Sequence, residues 1–389
     1  MAIRVGVVGT GFAASSHLEA LRRNPRVQVV AIAASSQDKA DAAARRFGVE
    51  RARGDYRQLL DDESIDAVHN CTPNYLHAEI NHAALASGKH LLSEKPLALD
   101  AHETSELVAA AAAADVVSGV CFNYRHYPLV RHAKELLASG RYGNVHFVHG
   151  GYLQDWLLHE DDWNWRLEVE RAGASRAVAD IGSHWIDLVQ YVTDHAVTEV
   201  FADLATLHEQ RWRPVQEVET FARGAADNRT RARVETEDFG AIAFRLAGGA
   251  RGALNVSQVS AGRRNNLSWE IDTARAALAW DQEEPNRLWI GSRDEPNSEV
   301  VRDPALLAPQ AAALAHVPAG HPEGWPDGLK NLVIDFYAAV AARVAGDGFE
   351  PSFASFADAH GVTCVVEAVL ASNRSGAWSA VERRREVKA

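Results

Sequence analysis

Apolar positions fall along this chain in two rhythms, and the rhythm changes once. Up to about residue 125, short apolar runs alternate with stretches of helical spacing. Residues 3–8, 27–33, 67–70, 90–92 and 116–122 read as buried strands. Between them, 15–23, 38–47, 56–60, 75–87 and 101–114 read as helices, with Gly48 and Gly88 as stop signals. Strand–helix alternation of this kind predicts a doubly wound parallel sheet. After residue 126 a helix at 128–139 leads into a half-buried alternation at 145–148. Strands are then expected at 197–207, 238–246, 250–260, 267–272, 276–280 and 287–290, with Gly248-Gly249 as a hairpin signal. Successive strands without intervening helices predict an α+β region with a large, mainly antiparallel open sheet. Helices at 329–344 and 353–372 would cover one face, leaving the other to pair with a second copy in a homodimer or homotetramer. The expected division is 1–125 and 126–389.

Composition narrows the classes. The net charge of -12 disfavours a nucleic-acid partner. No run of eighteen apolar residues suggests a membrane span, and the N-terminus enters a strand without a basic, cleavable leader. Three scattered cysteines (Cys71, Cys121, Cys364), odd in number and without metal-ligand spacing, fit a reducing, cytoplasmic setting and no bound metal. The charged run at 382–385 reads as a solvated tail.

Chemistry enters at the strand ends, where open α/β sheets bind ligands. The first strand runs into Gly9-Thr10-Gly11-Phe12-Ala13-Ala14. This G-x-G-x-x-A turn between a strand and a helix suits a dinucleotide pyrophosphate. The second strand lacks the usual acid for an NAD ribose and is followed instead by Ser35, Ser36 and Lys39. These groups could take a 2′-phosphate, which leans the reading slightly to NADP and leaves NAD open. Cys71-Thr72-Pro73-Asn74 with His77 makes a polar turn at another strand end, and Asn74 is a plausible helix cap. Leu91-Leu92-Ser93-Glu94-Lys95-Pro96 brings a lysine to the crevice, before a proline that can be cis. Asn123-Tyr124-Arg125 closes the next strand.

A second constellation lies at 152–185, which holds four of the ten tryptophans. Tyr152, Gln154, Trp163, Trp165 and Arg166 place flat rings beside amides and charges, a combination suited to a sugar or cyclitol. Asp180 and His184 are four apart at the start of an expected helix at 181–191, hence on one face. Asp180 could equally be a simple cap there. Alcohol oxidation needs a base near neutral pH, for which histidine is suited, and a lysine to hold the alkoxide-like oxygen. His321, in a late loop, is a further candidate substrate contact.

Taken in order, these motifs resemble the glucose–fructose oxidoreductase / inositol dehydrogenase / rhizopine-catabolism (Gfo/Idh/MocA) family over essentially the whole chain. The resemblance implies an N-terminal Rossmann domain followed by an α+β domain with an open sheet. It implies Lys95, Asp180 and His184 as catalytic residues and an NAD or NADP cofactor. That cofactor would be held by Gly9, Thr10, Gly11, Phe12, Ala13, Ser35, Ser36, Lys39, Thr72, Pro73, Asn74, His77, Glu94, Lys95, Asn123, Trp165 and Arg166. Substrate contacts would come from Lys95, Arg125, Tyr152, Gln154, Trp163, Arg166, Asp180, His184 and His321. The expected activity is oxidation of a ring hydroxyl of a sugar, anhydrosugar or inositol. An NAD-dependent glycoside hydrolase of the same fold, or a non-enzymatic dinucleotide sensor, remains the alternative.

Overall fold

The computed structural model describes residues 2–215 and 228–382, so most of the charged tail lies outside it. The first elements in chain order are β1 (Ile3–Val8), α1 (Phe12–Arg22), β2 (Val27–Ala33), α2 (Gln37–Phe47), β3 (Arg51–Arg53), α3 (Tyr56–Leu60), β4 (Ala67–Asn70), α4 (His77–Ala86), β5 (His90–Ser93), α5 (Ala101–Ala113) and β6 (Ser118–Val120). Next come α6 (Pro128–Ala138), β7 (Val145–Leu153), α7 (Val169–Ala172), α8 (Ser183–Thr193), β8 (Val197–Ala205), β9 (Gln210–Pro214), β10 (Arg229–Arg233), β11 (Phe239–Leu246) and β12 (Arg251–Ser257). The last are β13 (Asn266–Thr273), β14 (Ala277–Asp281), β15 (Arg287–Gly291), β16 (Ser298–Val301), α9 (Pro309–Ala312), α10 (Trp325–Ala345), α11 (Phe356–Ser375) and β17 (Ser379–Ala380). Among the described residues no helix is long and apolar enough to cross a membrane.

Two compact units result. Residues 2–123 with 325–361 form one, and 124–324 with 362–382 form the other. The sequence division assigned everything after 125 to the second domain. Instead α10 buries Leu329, Leu332, Val333, Phe336 and Val340 in one core with Val5, Val7, Leu18 and Leu21. Its apolar stripe is satisfied against the first unit, so 325–361 fold back there.

The first unit holds a six-stranded parallel sheet in the order β3-β2-β1-β4-β5-β6, the Rossmann arrangement. Its register aligns Val8 with Asn70, Asn70 with Ser93, and Ser93 with Val120. The loops that begin at Gly9, Cys71, Glu94 and Cys121 therefore leave the sheet side by side.

The second unit holds a nine-stranded sheet in the order β16-β15-β14-β13-β7-β12-β11-β8-β17. Only the β7–β12 pair is parallel. A π-helical turn at Val178–Gly182 runs directly into α8 and packs on β7 and β12. Strand β7 extends to Leu153, further than its visible alternation. Separately, β9 and β10 form a two-stranded ribbon.

Candidate functional site

In the first unit the chain turns at Gly9 with φ of 116°. The Gly9 amide donates to the Ala33 carbonyl at 2.9 Å, and the Cys71 amide donates to the Val8 carbonyl at 2.8 Å. A Cβ at Gly9 would lie 2.4 Å from the Cys71 oxygen. Conformation and space both demand glycine here. Gly11 begins α1 without any side-chain cap, and a Cβ on it would meet no protein atom within 4 Å. First-turn amides have no acceptor within their own helix. This open, uncapped helix start fits a pyrophosphate. Thr10 and Ala13 are half-buried beside it, and exposed Phe12 lies 5.8 Å from the Trp325 ring. At the end of β2, Ser35, Ser36 and Lys39 are exposed, but the Ser36 hydroxyl is engaged as the cap of α2, accepting from the Lys39 amide.

The neighbouring strand ends are tied together by buried polar groups. Thr72 Oγ1 donates to Asn70 Oδ1 at 2.7 Å, Asn70 Nδ2 to Asn81 Oδ1 at 2.9 Å, and Asn81 Nδ2 to Ser93 Oγ at 2.9 Å. His77 Nε2 is 2.8 Å from the Thr72 carbonyl and Nδ1 is 2.6 Å from that of Pro96. The Lys95–Pro96 peptide is cis. The sequence reading placed His77 among the cofactor contacts. The structure buries it with both ring nitrogens engaged, so it is a tether between the Thr72 and Lys95 turns. Burial lowers its pKa, although both carbonyls favour the protonated ring. Asn74 opens a short 3-10 turn, and α4 begins only at His77, so Asn74 does not cap that helix as expected.

Glu94 anchors the lysine turn. Its Oε2 accepts the Lys95 amide at 3.1 Å and its Oε1 lies 3.0 Å from His17 Nε2. His17 Nδ1 is 2.7 Å from His69 Nδ1, and His69 Nε2 is 2.9 Å from the Tyr337 hydroxyl. With His17 charged, as its raised pKa favours, it donates both ways, and a neutral His69 accepts from it and donates to Tyr337. Burial would raise the Glu94 carboxyl, but His17 and Lys95 hold it down at about 2. Burial would lower His17, but the neighbouring Cys71 and Cys121 outweigh it and the ring stands well above its ordinary value. Burial and the His17 charge depress His69. At the end of β6, Asn123 is 3% exposed and its Nδ2 has no acceptor among the described residues. A stranded buried donor is costly, and a carboxamide oxygen such as that of nicotinamide would satisfy it.

In the second unit, Asp180 stands on the π-helical turn rather than at a helix cap. Gly182 lets that turn lie close on β12, where a Cβ would come 3.1 Å from Val256 Cγ1. Asp180 Oδ1 accepts from Arg166 Nε at 3.1 Å and Oδ2 from Gln258 Nε2 at 3.0 Å. His184, on the first turn of α8, sets its ring edge-on to Tyr124, with centroids 5.0 Å apart. Tyr124 and Tyr152 hydroxyls are 2.7 Å apart; Tyr152 donates to Asn265 Oδ1 at 2.6 Å, and Asn265 Nδ2 donates to the Tyr124 oxygen at 3.2 Å. Gln154 Nε2 donates to Asn265 Oδ1 at 3.0 Å, and Gln154 Oε1 accepts from Trp156 Nε1 at 2.8 Å. Burial, then Tyr124, then the Asp180 charge push the Tyr152 phenol well above its usual range. Arg166 lies 4.5 Å over the Trp165 ring, and Trp163 packs partly buried on Leu157, Leu167 and Val234.

Two expected contacts land elsewhere. Arg125 is buried in a two-pronged pair with Asp187, at 2.8 and 2.5 Å, and lies 4.8 Å over the Tyr191 ring. It anchors α8 and has no surface to offer a substrate. His321 is exposed on a loop held through its own carbonyl by Arg302, and is not part of the Asp180 set. Sequence reasoning also missed Asn265 and Gln258, and Trp156 lay inside the highlighted 152–185 constellation without being singled out as a site residue. Tyr124 lay inside a highlighted stretch, but nothing local marked it over its neighbours.

Residues 3–122 match the oxidoreductase family with an NAD-binding Rossmann fold, and residues 130–279 match the GFO/IDH/MocA C-terminal domain. The chain is 31% identical to levoglucosan dehydrogenase of Pseudarthrobacter phenanthrenivorans over 97% of each chain. A solved levoglucosan dehydrogenase in complex with NADH and levoglucosan matches with a TM-score of 0.87 and 29% identity, covering 98% of this chain and 100% of that one. An inositol dehydrogenase homolog complexed with NAD+, from Azotobacter vinelandii, matches with a TM-score of 0.87 and 26% identity, covering 98% and 97%. Both solved relatives carry NAD+ or NADH, so the lean towards NADP drawn from Ser35, Ser36 and Lys39 finds no support. Sharing both domains and nearly its full length with such relatives, the chain belongs to the Gfo/Idh/MocA family of NAD(P)-dependent sugar dehydrogenases.

Proposed function

We propose that this enzyme oxidises one ring hydroxyl of an anhydrosugar, sugar or cyclitol, with levoglucosan the leading candidate and NAD the cofactor. The observation that carries this reading is the Asp180–His184 pair. A carboxylate fixed by donors on both oxygens stands one turn before a histidine that is packed on two tyrosines. The kinship with levoglucosan dehydrogenase over 97% of the chain supports the substrate class.

Bound nicotinamide supplies the hydride acceptor. In this reading His184 takes the hydroxyl proton, Lys95 holds the developing negative charge on that oxygen, and Asp180 orients the donor groups around it. Gly9, Thr10, Gly11, Phe12, Ala13 and Asn123 hold the cofactor, with Thr72, Pro73, Ser35 and Lys39 at its margins. Gln154, Trp163 and Arg166 select the ligand. The exposed face of the nine-stranded sheet, with Phe147, Phe201 and Phe239, is where copies of the chain pair.

The test is absorbance at 340 nm with levoglucosan, monosaccharides and inositols, each with NAD and NADP in parallel. A rise with levoglucosan and NAD is expected. A flat trace across the panel, with NADH binding seen by fluorescence, overturns the reading. Lys95→Ala should bind NADH and lose most turnover; full activity in that variant removes Lys95 from the mechanism.

A further inference from the structure

The Asp180 carboxylate is one end of a polar chain that runs into the core of the second unit. Gln258 follows β12. Its Nε2 donates to Asp180 Oδ2 at 3.0 Å and its Oε1 accepts Arg176 Nη1 at 2.9 Å. Arg176 is 1% exposed. Its Nε donates to Thr236 Oγ1 at 3.1 Å and its Nη2 pairs with Asp238 Oδ1 at 2.5 Å. Arg211, equally buried, reaches the same oxygen at 2.8 Å. Asp238 Oδ2 accepts the Leu207 and His208 amides at 2.7 and 3.2 Å. Glu237 Oε1 accepts the Ser175 hydroxyl and the Arg176 and Val178 amides just before the π-helical turn. Two buried guanidiniums thus share the one Asp238 carboxylate. Burial would raise the Asp238 carboxyl, but Arg176 and Arg211 hold it below its ordinary value, so the far end of the chain stays charged.

A guanidinium only donates. Arg176 therefore fixes which way the Gln258 amide points: oxygen towards the arginine, nitrogen towards Asp180. A flipped amide would set donors against donors at one end and oxygen against carboxylate at the other. We propose that Gln258 is a positioning residue for Asp180: locked by Arg176, it presents a permanent donor to Oδ2 and holds the carboxylate where Oδ1 meets Arg166. This rests on the reading of Asp180 as part of the catalytic machinery. Arg166 and the Tyr152 phenol also face that carboxylate.

Gln258→Glu and Gln258→Leu test the lock. Glutamate keeps the acceptor for Arg176 but can donate to Asp180 only when it carries a proton, which two facing carboxylates share as pH falls. With levoglucosan and NAD, kcat should fall about tenfold or more in both variants, with NADH affinity near wild type and a lowered Tm in Gln258→Leu, where the buried Arg176 Nη1 donor loses its acceptor. The ratio of Gln258→Glu to wild-type kcat should recover on acidification, and that of Gln258→Leu should not. A merely structural role predicts parallel pH profiles; parallel profiles, or unchanged kcat, overturn the inference. Asp180→Asn separates the two levels. Full turnover in Asp180→Asn means the reading of Asp180 has failed, whereas lost turnover there with full turnover in Gln258→Glu sinks this inference alone. Crystal structures of both variants give a readout without turnover: an Asp180–Arg166 contact unchanged in Gln258→Leu also overturns it.

Discussion

Replacing Glu94 by glutamine keeps the side-chain shape and an oxygen for His17, but removes the charge and the acceptor of the Lys95 amide. The folded protein holds this carboxyl at about 2 against an ordinary 4.5. At about 1.4 kcal/mol per pKa unit, that makes about 3 kcal/mol of stability at neutral pH depend on its ionisation. Solvent screening takes little of this away, since the Glu94 side chain is 17% exposed and His17 is fully buried. A depressed carboxyl binds fewer protons folded than unfolded, so stability rises with pH between the two values. The contribution is complete above about 4.5 and is lost as pH falls through about 2. His17 has the opposite sign. Its raised ring contributes fully below its ordinary 6.5, and that share is lost as pH rises through the elevated folded value. The Glu94 shift already contains the His17 charge, so the two are not added.

Urea unfolding of wild type and Glu94→Gln, followed by circular dichroism from pH 7 down to pH 3, reads the difference. A chain of two units need not unfold in one step, so amide exchange in α1 and β5 supplies the same free energy locally. The gap should be about 3 kcal/mol at pH 7 and should shrink steadily below pH 4.5. A gap as large at pH 3 as at pH 7, or one below about 1 kcal/mol at pH 7, would refute the reasoning.

Gly9→Ala drives a Cβ to 2.4 Å from the Cys71 carbonyl at a φ of 116°. NADH affinity, measured by fluorescence titration, should drop at least about tenfold with a lowered Tm, because the turn must open; wild-type affinity would show that the turn is not the cofactor cradle. Asp187→Ala strands the buried Arg125 guanidinium and should cost about 3–5 kcal/mol in urea unfolding. Arg125→Met with Asp187→Leu should recover most of that stability and keep kcat; a folded double variant that loses kcat would return Arg125 to the substrate site.

The first sheet, apart from its edge strand β3, was legible because parallel strands buried on both faces are nearly continuous apolar runs, as in Val5–Val8 and Val30–Ala33. Strands β9, β10, β16 and β17 were not. Arg229–Arg233 reads Arg-Thr-Arg-Ala-Arg, and Ser298–Val301 has no buried position, so neither carries an alternation to detect. Helix α10 was found but assigned to the wrong core, because an apolar stripe records that a face is buried and not which neighbour buries it. The same limit governs the site. Motif residues are local and stand out, whereas their partners lie far along the chain: Asn265 is 113 residues from Tyr152, and Gln258 is 78 from Asp180.

Distance along the chain also explains why Arg125 and His77 were misread. A charged or titratable residue at a strand end reads as a ligand contact until its partner is known. Arg125 finds Asp187 62 residues away and places both prongs of its guanidinium on one carboxylate. His77 finds two carbonyls, one on each loop that it tethers. Asp180 is equally well partnered, yet it differs in kind. Its donors, Arg166 and Gln258, hold it at 15% side-chain exposure instead of sealing it in. Residue type and position at a strand or helix end are the same in all three cases. What separates them is how far the fold seals each from solvent, and that is fixed by tertiary partners no local pattern encodes.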